Sequence, residues 1–163
     1  MMIIHAILLA VAPASPLAAQ SSPALLEGPA DAEDKMRPSP QEILTAYRTA
    51  IQKLDSTEMS ALFFEESRVF ENGKSEGSFA HYLEHHLGPE LGHIKSFTFT
   101  EPKITVTEYG NMAVAHESYG YVIILEDGRT IERTGVATSV LKRDGANWKI
   151  LQYHSSSRAP KKK

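Results

Sequence analysis

The chain contains no cysteine among its 163 residues. This absence excludes disulfides, thiolate catalysis and cysteine-ligated zinc, so any metal site must use histidine, aspartate or glutamate. The sequence also contains no glycine-rich phosphate loop, no Walker motif and no Gly-x-Ser-x-Gly elbow. Nucleotide-dependent chemistry and a serine-hydrolase mechanism therefore have no sequence support. The length suits one domain with its own core.

Basic residues are scarce outside the end of the chain. The formal net charge is −3, and four of the 17 basic residues lie at Arg158, Lys161, Lys162 and Lys163. The rest of the chain therefore holds 13 basic against 20 acidic residues, a charge of −7. An acidic body argues against a nucleic-acid partner. The basic tail, 161–163, is predicted to be a solvated end.

Residues 1–19 contain no Asp, Glu, Lys or Arg. Their apolar stretch, 6–12, is too short to span a bilayer, and prolines and small residues lead from it to Leu17-Ala18-Ala19. This pattern predicts a secretory signal peptide, although His5 stands where a lysine or arginine is usual. The alternative is a disordered apolar leader. We therefore expect a periplasmic or secreted protein with no membrane span.

The domain, expected over 40–160, follows a predicted flexible linker over 20–39 that is rich in Ser, Pro and Ala. Ser39-Pro40-Gln41-Glu42 is a capping box with proline at the first helical position. Apolar residues then recur at helical spacing and predict a helix of about four turns; they are Ile43, Leu44, Tyr47, Ala50, Ile51 and Leu54. A short second helix is predicted to carry Met59, Leu62 and Phe63.

The rest of the chain predicts a hairpin, a third helix and four long strands. Asn72-Gly73 predicts the hairpin turn, and Ser78 can cap a helix over 79–87 that Gly88-Pro89 ends or interrupts. Alternating segments over 94–106, 112–125, 130–143 and 148–157 predict an antiparallel meander. The apolar parity slips around Glu101-Pro102, as in a bulge. The layout is α+β, and a curved sheet can enclose a pocket against helices.

Three segments carry a resemblance to a known family. They are the helix with its Ala-Leu-Phe segment, the Phe70-Glu71-Asn72-Gly73 hairpin with Glu76-Gly77, and the closing segment with Arg143-Asp144-Gly145, Trp148-Lys149-Ile150, His154-Ser155 and Pro160. Their order over about 40–160 resembles the nuclear transport factor 2-like superfamily, with its polyketide-cyclase-like (SnoaL-like) proteins and the association domain of calcium/calmodulin-dependent kinase II. The resemblance implies a cone-shaped, curved antiparallel sheet wrapped around three N-terminal helices, an internal pocket and frequent dimerisation through the sheet. It implies no cofactor, and no local motif here matches the carboxylate and tyrosine of the isomerase branch.

Three histidines lie within six residues of the third predicted helix. At about 100° per residue, His86 and Tyr82 fall on the apolar face with Phe79, while His81 and His85 fall on the opposite face. His81 and His85 have the i, i+4 spacing that can hold one metal ion, with Glu84, Glu90 or His93 as a further ligand. The alternative is a solvated polar face.

The strand histidines are harder to orient. One of His116 and Glu117 should point into the pocket, but both strand faces are mixed, so alternation does not choose between them. His154 shares a face with Trp148 and Ile150. The predicted pocket residues are Tyr82, His86, His116, Glu117, Tyr119 and His154. The catalytic candidates are His86, His154 and Glu117, and the metal candidates are His81, His85, His86 and His154.

These residues support three functional hypotheses. The first is an exported protein that binds a small ligand, or a copper or zinc ion, in its cone. The second is an enzyme of the polyketide-cyclase or dehydratase type, with the catalytic candidates as acid–base groups. The third is a dimeric interaction module with an inert pocket, in which the histidines are unrelated side chains with satisfied hydrogen bonds.

Overall fold

The computed structural model describes residues 37–161. The predicted signal peptide, most of the predicted linker and the last two lysines lie outside the described residues. The helices are α1 (Pro40–Lys53), α2 (Ser56–Ala61), α3 (Phe79–Tyr82) and α4 (Gly88–Leu91), and a π-helical turn, Leu83–Leu87, joins the last two. Within the described range, none of these helices is long and apolar enough to cross a membrane.

The first helix begins at the residue that its local sequence predicts. The Ser39 hydroxyl accepts a hydrogen bond from the Glu42 N–H, and the Glu42 carboxylate accepts one from the Ser39 N–H at 2.8 Å. Pro40 has no N–H group, and at the first helical position this costs no hydrogen bond. The helix ends at Lys53, and the next residue, Leu54, adopts the left-handed conformation with φ 57°. The capping box is therefore confirmed, and it fixes the register of the buried face of α1.

Six strands form one curved, unclosed sheet around the helices, and this confirms the α+β cone. They are β1 (Phe63–Glu71), β2 (Lys74–Gly77), β3 (Ile94–Tyr109), β4 (Met112–Leu125), β5 (Thr130–Asp144) and β6 (Asn147–Arg158). The order across the sheet is β2-β1-β6-β5-β4-β3, and β1 pairs with β6 in parallel. The predicted hairpin and the four-strand meander are confirmed. Phe63 begins β1 and does not belong to the second helix.

Of the irregularities in the strand pairing, two bear on the predictions for the long strands. The predicted bulge in β3 is confirmed, because the pairing with β4 shifts between Thr100 and Lys103. The second bulge was not predicted. Leu141 pairs with Ile150 but the preceding Val140 pairs with Gln152, so Leu151 is an extra residue in β6. Side chains beyond Leu151 therefore change faces relative to simple alternation.

The core lies between α1, the α3 segment and the inner face of the sheet. Leu44, Met59, Leu141 and Ile150 are fully buried. At the centre, the rings of Phe63 and Phe79 stack at 3.9 Å, and the Tyr47 ring packs edge-on against both. The Phe79 N–H also donates a hydrogen bond to the buried Ser67 hydroxyl. These contacts fix the position of the helix that carries the candidate site residues.

Of the two expected effects of Gly88-Pro89 on the third helix, an end or an interruption, the structure shows the interruption. Gly88-Pro89 does not end it; the chain passes through the π-helical turn and forms one more helical turn up to Leu91. The Gly88 N–H donates to the Leu83 carbonyl, which closes the wide turn. A Cβ at Gly88 would lie 2.4 Å from that carbonyl oxygen, which no real contact allows. The wide turn also avoids the clash that Pro89 would cause in a regular α-helix.

Replacing Gly88 by alanine should therefore lower the free energy of unfolding by about 1–3 kcal/mol, although alanine usually favours a helix over glycine. Gly92 is the matched control, because its φ is −64° and its added Cβ would make an ordinary 3.5 Å contact. Gly92→Ala should be neutral or stabilising by up to about 1 kcal/mol. Urea denaturation of both variants measures the difference. Equal losses would refute the assigned close contact.

Candidate functional site

A cavity of about 120 Å³ opens between the inner face of the sheet and the helical segment before β3. Its walls are mainly aromatic and aliphatic, with Tyr47, Ile51, Leu87, Leu91, Ile94, Phe97, Phe99, Tyr119, Tyr121, Ile123 and Tyr153. Its polar lining consists of Glu71, Glu90 and the three serines of 155–157. A dry cavity of about 150 Å³ holds benzene, so this space suits a molecule of about one ring.

The aromatic wall has both a fixed packing and several hydroxyl groups. The Phe97 ring stacks on Tyr121 at 5.1 Å, and Phe99 packs edge-on against Tyr119 at 5.1 Å. The hydroxyl of Tyr121 donates to Ser157 Oγ at 2.9 Å. Burial raises the pKa of Tyr119 to about 12, so its hydroxyl keeps its proton at neutral pH. The wall can therefore offer neutral hydrogen-bonding groups to a polar atom of an apolar ligand.

Glu71, the last residue of β1, is the more enclosed of the two carboxyl groups that line the cavity. The Tyr82 hydroxyl donates a hydrogen bond to Glu71 Oε2 at 2.9 Å. His86 Nδ1 lies 3.8 Å from the same oxygen. Burial raises the pKa of Glu71, while the Tyr82 hydrogen bond and His86 oppose that rise. A carboxyl with a raised pKa beside an apolar cavity is suited to exchange a proton with a bound molecule.

His86 lies behind Glu71 and points inward with Tyr82, as the helical pattern predicts, but neither residue is among those that line the cavity, so their prediction as pocket residues is wrong. The Tyr82 ring packs against the imidazole at 5.2 Å. Two further carboxylates flank the ring: Glu76 Oε1 is 3.3 Å from Nδ1, and Glu90 Oε1 is 3.2 Å from Nε2. Glu71, Glu76 and Glu90 therefore surround a single imidazole.

Glu117 is the inward member of the pair that alternation left undecided. Its side chain is 2% exposed, and its Oε2 accepts a hydrogen bond from Arg48 NH1 at 2.9 Å. Burial raises the pKa of Glu117 to about 7, and the Arg48 guanidinium opposes that rise. Glu117 is not among the residues that line the cavity. The prediction of Glu117 as a pocket residue is therefore wrong, because its buried carboxylate pairs with Arg48 of α1 and not with the cavity.

His116 and His154 are exposed on the outer face of the sheet. The strand pairing places His116, Thr138 and His154 in one row across β4, β5 and β6. The predicted convergence of His154 with His86 is therefore wrong, because the bulge at Leu151 turns Tyr153 inward in its place. The ring of His154 packs against Phe70. Neither histidine lines the cavity.

The predicted metal ligands are not brought together. His81 and His85 do share the exposed helix face, with their rings 4.4 Å apart. His81 Nδ1 lies 2.9 Å from the Glu76 carbonyl oxygen, however, so one ring nitrogen already has a partner. Across residues 37–161, no three or more His, Asp or Glu side chains are grouped so that they could hold a metal ion. The set of His81, His85, His86 and His154 therefore gives no support to a copper or zinc site.

Glu71 and Glu76 are the site residues that the sequence reasoning missed. A signal for Glu71 was available, because it has the same strand parity as the buried Val69 and directly precedes the Asn72-Gly73 turn. Glu76 gave a weaker signal. It lies on a four-residue strand whose neighbours are all charged or small, so no apolar pattern shows that its side chain points inward.

Comparisons with known proteins agree with this geometry at the level of the fold. The model of the SnoaL-like domain matches residues 41–160. A nuclear transport factor 2 (NTF2-like) superfamily protein from Salmonella enterica serovar Typhimurium is 25% identical, with a TM-score of 0.65 over 73% of this chain and 88% of that one. A ketosteroid isomerase candidate from Shewanella frigidimarina is 24% identical, with a TM-score of 0.61 over 70% of this chain and 91% of that one.

A third solved structure, a ketosteroid isomerase-like protein from Erwinia carotovora atroseptica, is 14% identical, with a TM-score of 0.63 over 74% of this chain and 94% of its own. No curated protein matches the chain. The likenesses below 25% identity concern the fold alone. A shared fold does not fix the chemistry of a site, which depends on the residues that line it.

Proposed function

This chain belongs to the SnoaL-like domain family, and we propose that its cavity binds a small, largely apolar molecule of about one ring that exchanges a proton with Glu71. The observation that carries the proposal is Glu71, the more enclosed of the two carboxyl groups in a mainly apolar cavity, which accepts a hydrogen bond from Tyr82 and lies beside His86. The family includes isomerases and dehydratases, both of which move protons. That chemistry is compatible with the proposal.

The apolar walls supply the affinity. Fully burying an apolar group the size of a ring contributes about 1.5–3 kcal/mol, and stacking on the aromatic wall adds about 0.5–1.5 kcal/mol. The polar groups supply the orientation. One oxygen of Glu71 is already occupied by the Tyr82 hydroxyl, so the other oxygen is the one that can meet the ligand. A ligand with one acidic O–H or C–H directed at that oxygen fits both features.

Proton transfer is the reaction step that these groups support. As a carboxylate, Glu71 takes a proton from the ligand; as a carboxylic acid, it returns that proton to the same or another ligand atom. The raised pKa of Glu71 makes both forms accessible closer to neutral pH than for an exposed glutamate. In the enzyme hypothesis, His86 thus acts through Glu71. Glu71 takes the acid–base role beside the ligand that the sequence predicts for His154 and Glu117.

Titration with 4-nitrophenol tests the proposal, because the phenol and the phenolate absorb at different wavelengths. The wild type should bind this single-ring probe saturably. The bound probe should be the neutral phenol, because its O–H group donates a hydrogen bond to the Glu71 carboxylate. Glu71→Gln should weaken binding roughly 10- to 100-fold, the value of one charge-assisted hydrogen bond. His154→Ala is the control on the outer face and should leave binding unchanged. Absence of saturable binding, or equal losses in the two variants, would contradict the proposal.

Two properties of the whole protein complete the proposal. Export to the periplasm or beyond is supported by residues 1–19, and the N-terminal mass of protein recovered outside the cytoplasm tests it.

Dimerisation through the outer sheet face is supported by Val136, which is 54% exposed in the middle of that face. Light scattering of the mature protein tests it. A monomer would remove the interaction-module alternative.

A further inference from the structure

Glu76 is an unusual residue for an edge strand. β2 has four residues and ends the sheet, yet the Glu76 side chain is only 4% exposed. Burying a carboxylate is costly unless its oxygens have partners. Lys74 donates a hydrogen bond to Glu76 Oε2 at 3.0 Å from a largely exposed position. One oxygen is therefore satisfied from the solvent side, and the other points into the protein.

The second oxygen faces an equally isolated atom of His86. Glu76 Oε1 and His86 Nδ1 are both buried, and in the described part of the chain neither meets the geometry of a hydrogen bond with any partner. They face each other at 3.3 Å. A carboxylate oxygen can only accept, so this contact is favourable only if Nδ1 carries a proton. The other ring nitrogen, Nε2, faces the exposed Glu90.

We propose that Glu76 is a positioning residue of the site, which fixes the ring of His86 and keeps a proton on Nδ1. In this arrangement His86 presents a protonated edge to the pair of carboxylates, Glu76 at 3.3 Å and Glu71 at 3.8 Å. Glu71 Oε2 is thus held between the Tyr82 hydroxyl and the imidazole. Glu76 touches no ligand and acts only through His86 on the carboxyl that does.

The effect on Glu71 rests on the proposed function, whereas the proton on His86 does not. Glu76 carries its charge at neutral pH, because Lys74 and His86 hold the pKa of its carboxyl below the usual range. A glutamine at this position would orient its amide oxygen toward Lys74 and its amide N–H group toward Nδ1. His86 would then have to accept at Nδ1, and its proton would move to Nε2.

Side-chain ¹⁵N NMR of the ligand-free, histidine-labelled protein at pH 8 tests the inference, and a His86→Gln spectrum identifies the signals of this ring. In the wild type we expect a protonated Nδ1. In Glu76→Gln we expect the proton on Nε2. Glu76→Leu, which removes the carboxylate without leaving a new polar group, should give the same loss from Nδ1 and provides the test if the glutamine variant does not fold.

Glu90→Gln is the matched control, because Glu90 contacts the same ring through the other nitrogen and is 59% exposed. This variant should keep the Nδ1 proton. An unprotonated Nδ1 in the wild type, or a protonated one that survives in both Glu76 variants, would overturn the inference. The spectra contain no ligand. A protein that fails to bind 4-nitrophenol would therefore refute the proposed function and leave this result standing.

Discussion

Replacing Arg48 by methionine should cost about 3–5 kcal/mol of the free energy of unfolding at pH 8. The reason is that the variant would leave the carboxylate of Glu117 buried without a partner. Glu117 is 2% exposed, and its hydrogen bond from Arg48 at 2.9 Å joins helix α1 to the inner face of β4. Methionine fills much of the space of the arginine stem but cannot pair with a charge. Urea denaturation at fixed pH measures the loss.

The loss should shrink in acid, and its sign follows from the pKa of Glu117. Burial raises that pKa from 4.5 to about 7, so between these values the folded chain holds a proton that the unfolded chain has released. The contribution of this group to stability is complete below about pH 4.5 and is lost as the pH rises through 7. From this group alone, the wild type should lose about 2–3 kcal/mol between pH 5 and pH 8. Arg48→Met should be steeper, because the cation that lowers the pKa is gone.

Two further variants isolate the buried charge. Lys53→Met breaks an ion pair that starts on the same helix, but Lys53 and Glu58 are 54% and 49% exposed. It should cost less than about 1 kcal/mol with no added pH dependence. Combining Arg48→Met with Glu117→Gln should recover part of the loss at pH 8. If the double variant is as unstable as Arg48→Met, the buried charge is not the cause.

Replacing Phe79 by alanine should destabilise the fold by about 3–5 kcal/mol and abolish binding of 4-nitrophenol. Phe79 is 2% exposed and stacks on Phe63 at 3.9 Å. It is also the first residue of the helix that carries Tyr82, whose ring it contacts. The substitution therefore leaves a cavity in the core and releases the helix that positions Tyr82 and His86. Thermal unfolding and the probe titration measure the two effects.

Phe70 provides the matched control. Phe70 is the phenylalanine that precedes Phe79 in the sequence. It lies in β1, half-buried on the outer face of the sheet, where its ring contacts His154. Phe70→Ala removes the same number of atoms but less buried area, so it should cost clearly less than Phe79→Ala. Probe binding should persist. Loss of binding in both variants with similar destabilisation would argue against a specific role of the Phe79 anchor.

The fold was predictable because its signals are local. The Ser39–Glu42 capping box, the Asn72-Gly73 turn and the alternation along the long strands each act over a few residues, and the structure confirms each of them. The parity slip at Glu101-Pro102 likewise marked the bulge in β3 correctly. Agreement among several such short-range signals is what made the α+β cone readable from the sequence.

The site was less predictable because single-residue offsets decide it. In β4, Ala113 and Ala115 face the helices and Val114 does not, so hydrophobicity does not mark the inner face and cannot separate His116 from Glu117. In β6, one extra residue, Leu151, exchanges His154 for Tyr153. No glycine or proline near Leu151 indicates a bulge at this position. It is set by the pairing with the neighbouring strand β5, which the sequence of β6 alone does not encode.

The parallel pairing of β1 with β6 has a consequence for how the molecule assembles. β6 separates the β1–β2 hairpin from the β3–β5 meander, so neither part can join the other until the last strand is in place. Glu71 lies opposite Ser155 in this pairing. A chain shortened before Asn147 would therefore give two separate sheets and no cavity. Contacts this distant in sequence slow folding, so the chain should acquire its binding site late, in a single step with the closing of the sheet.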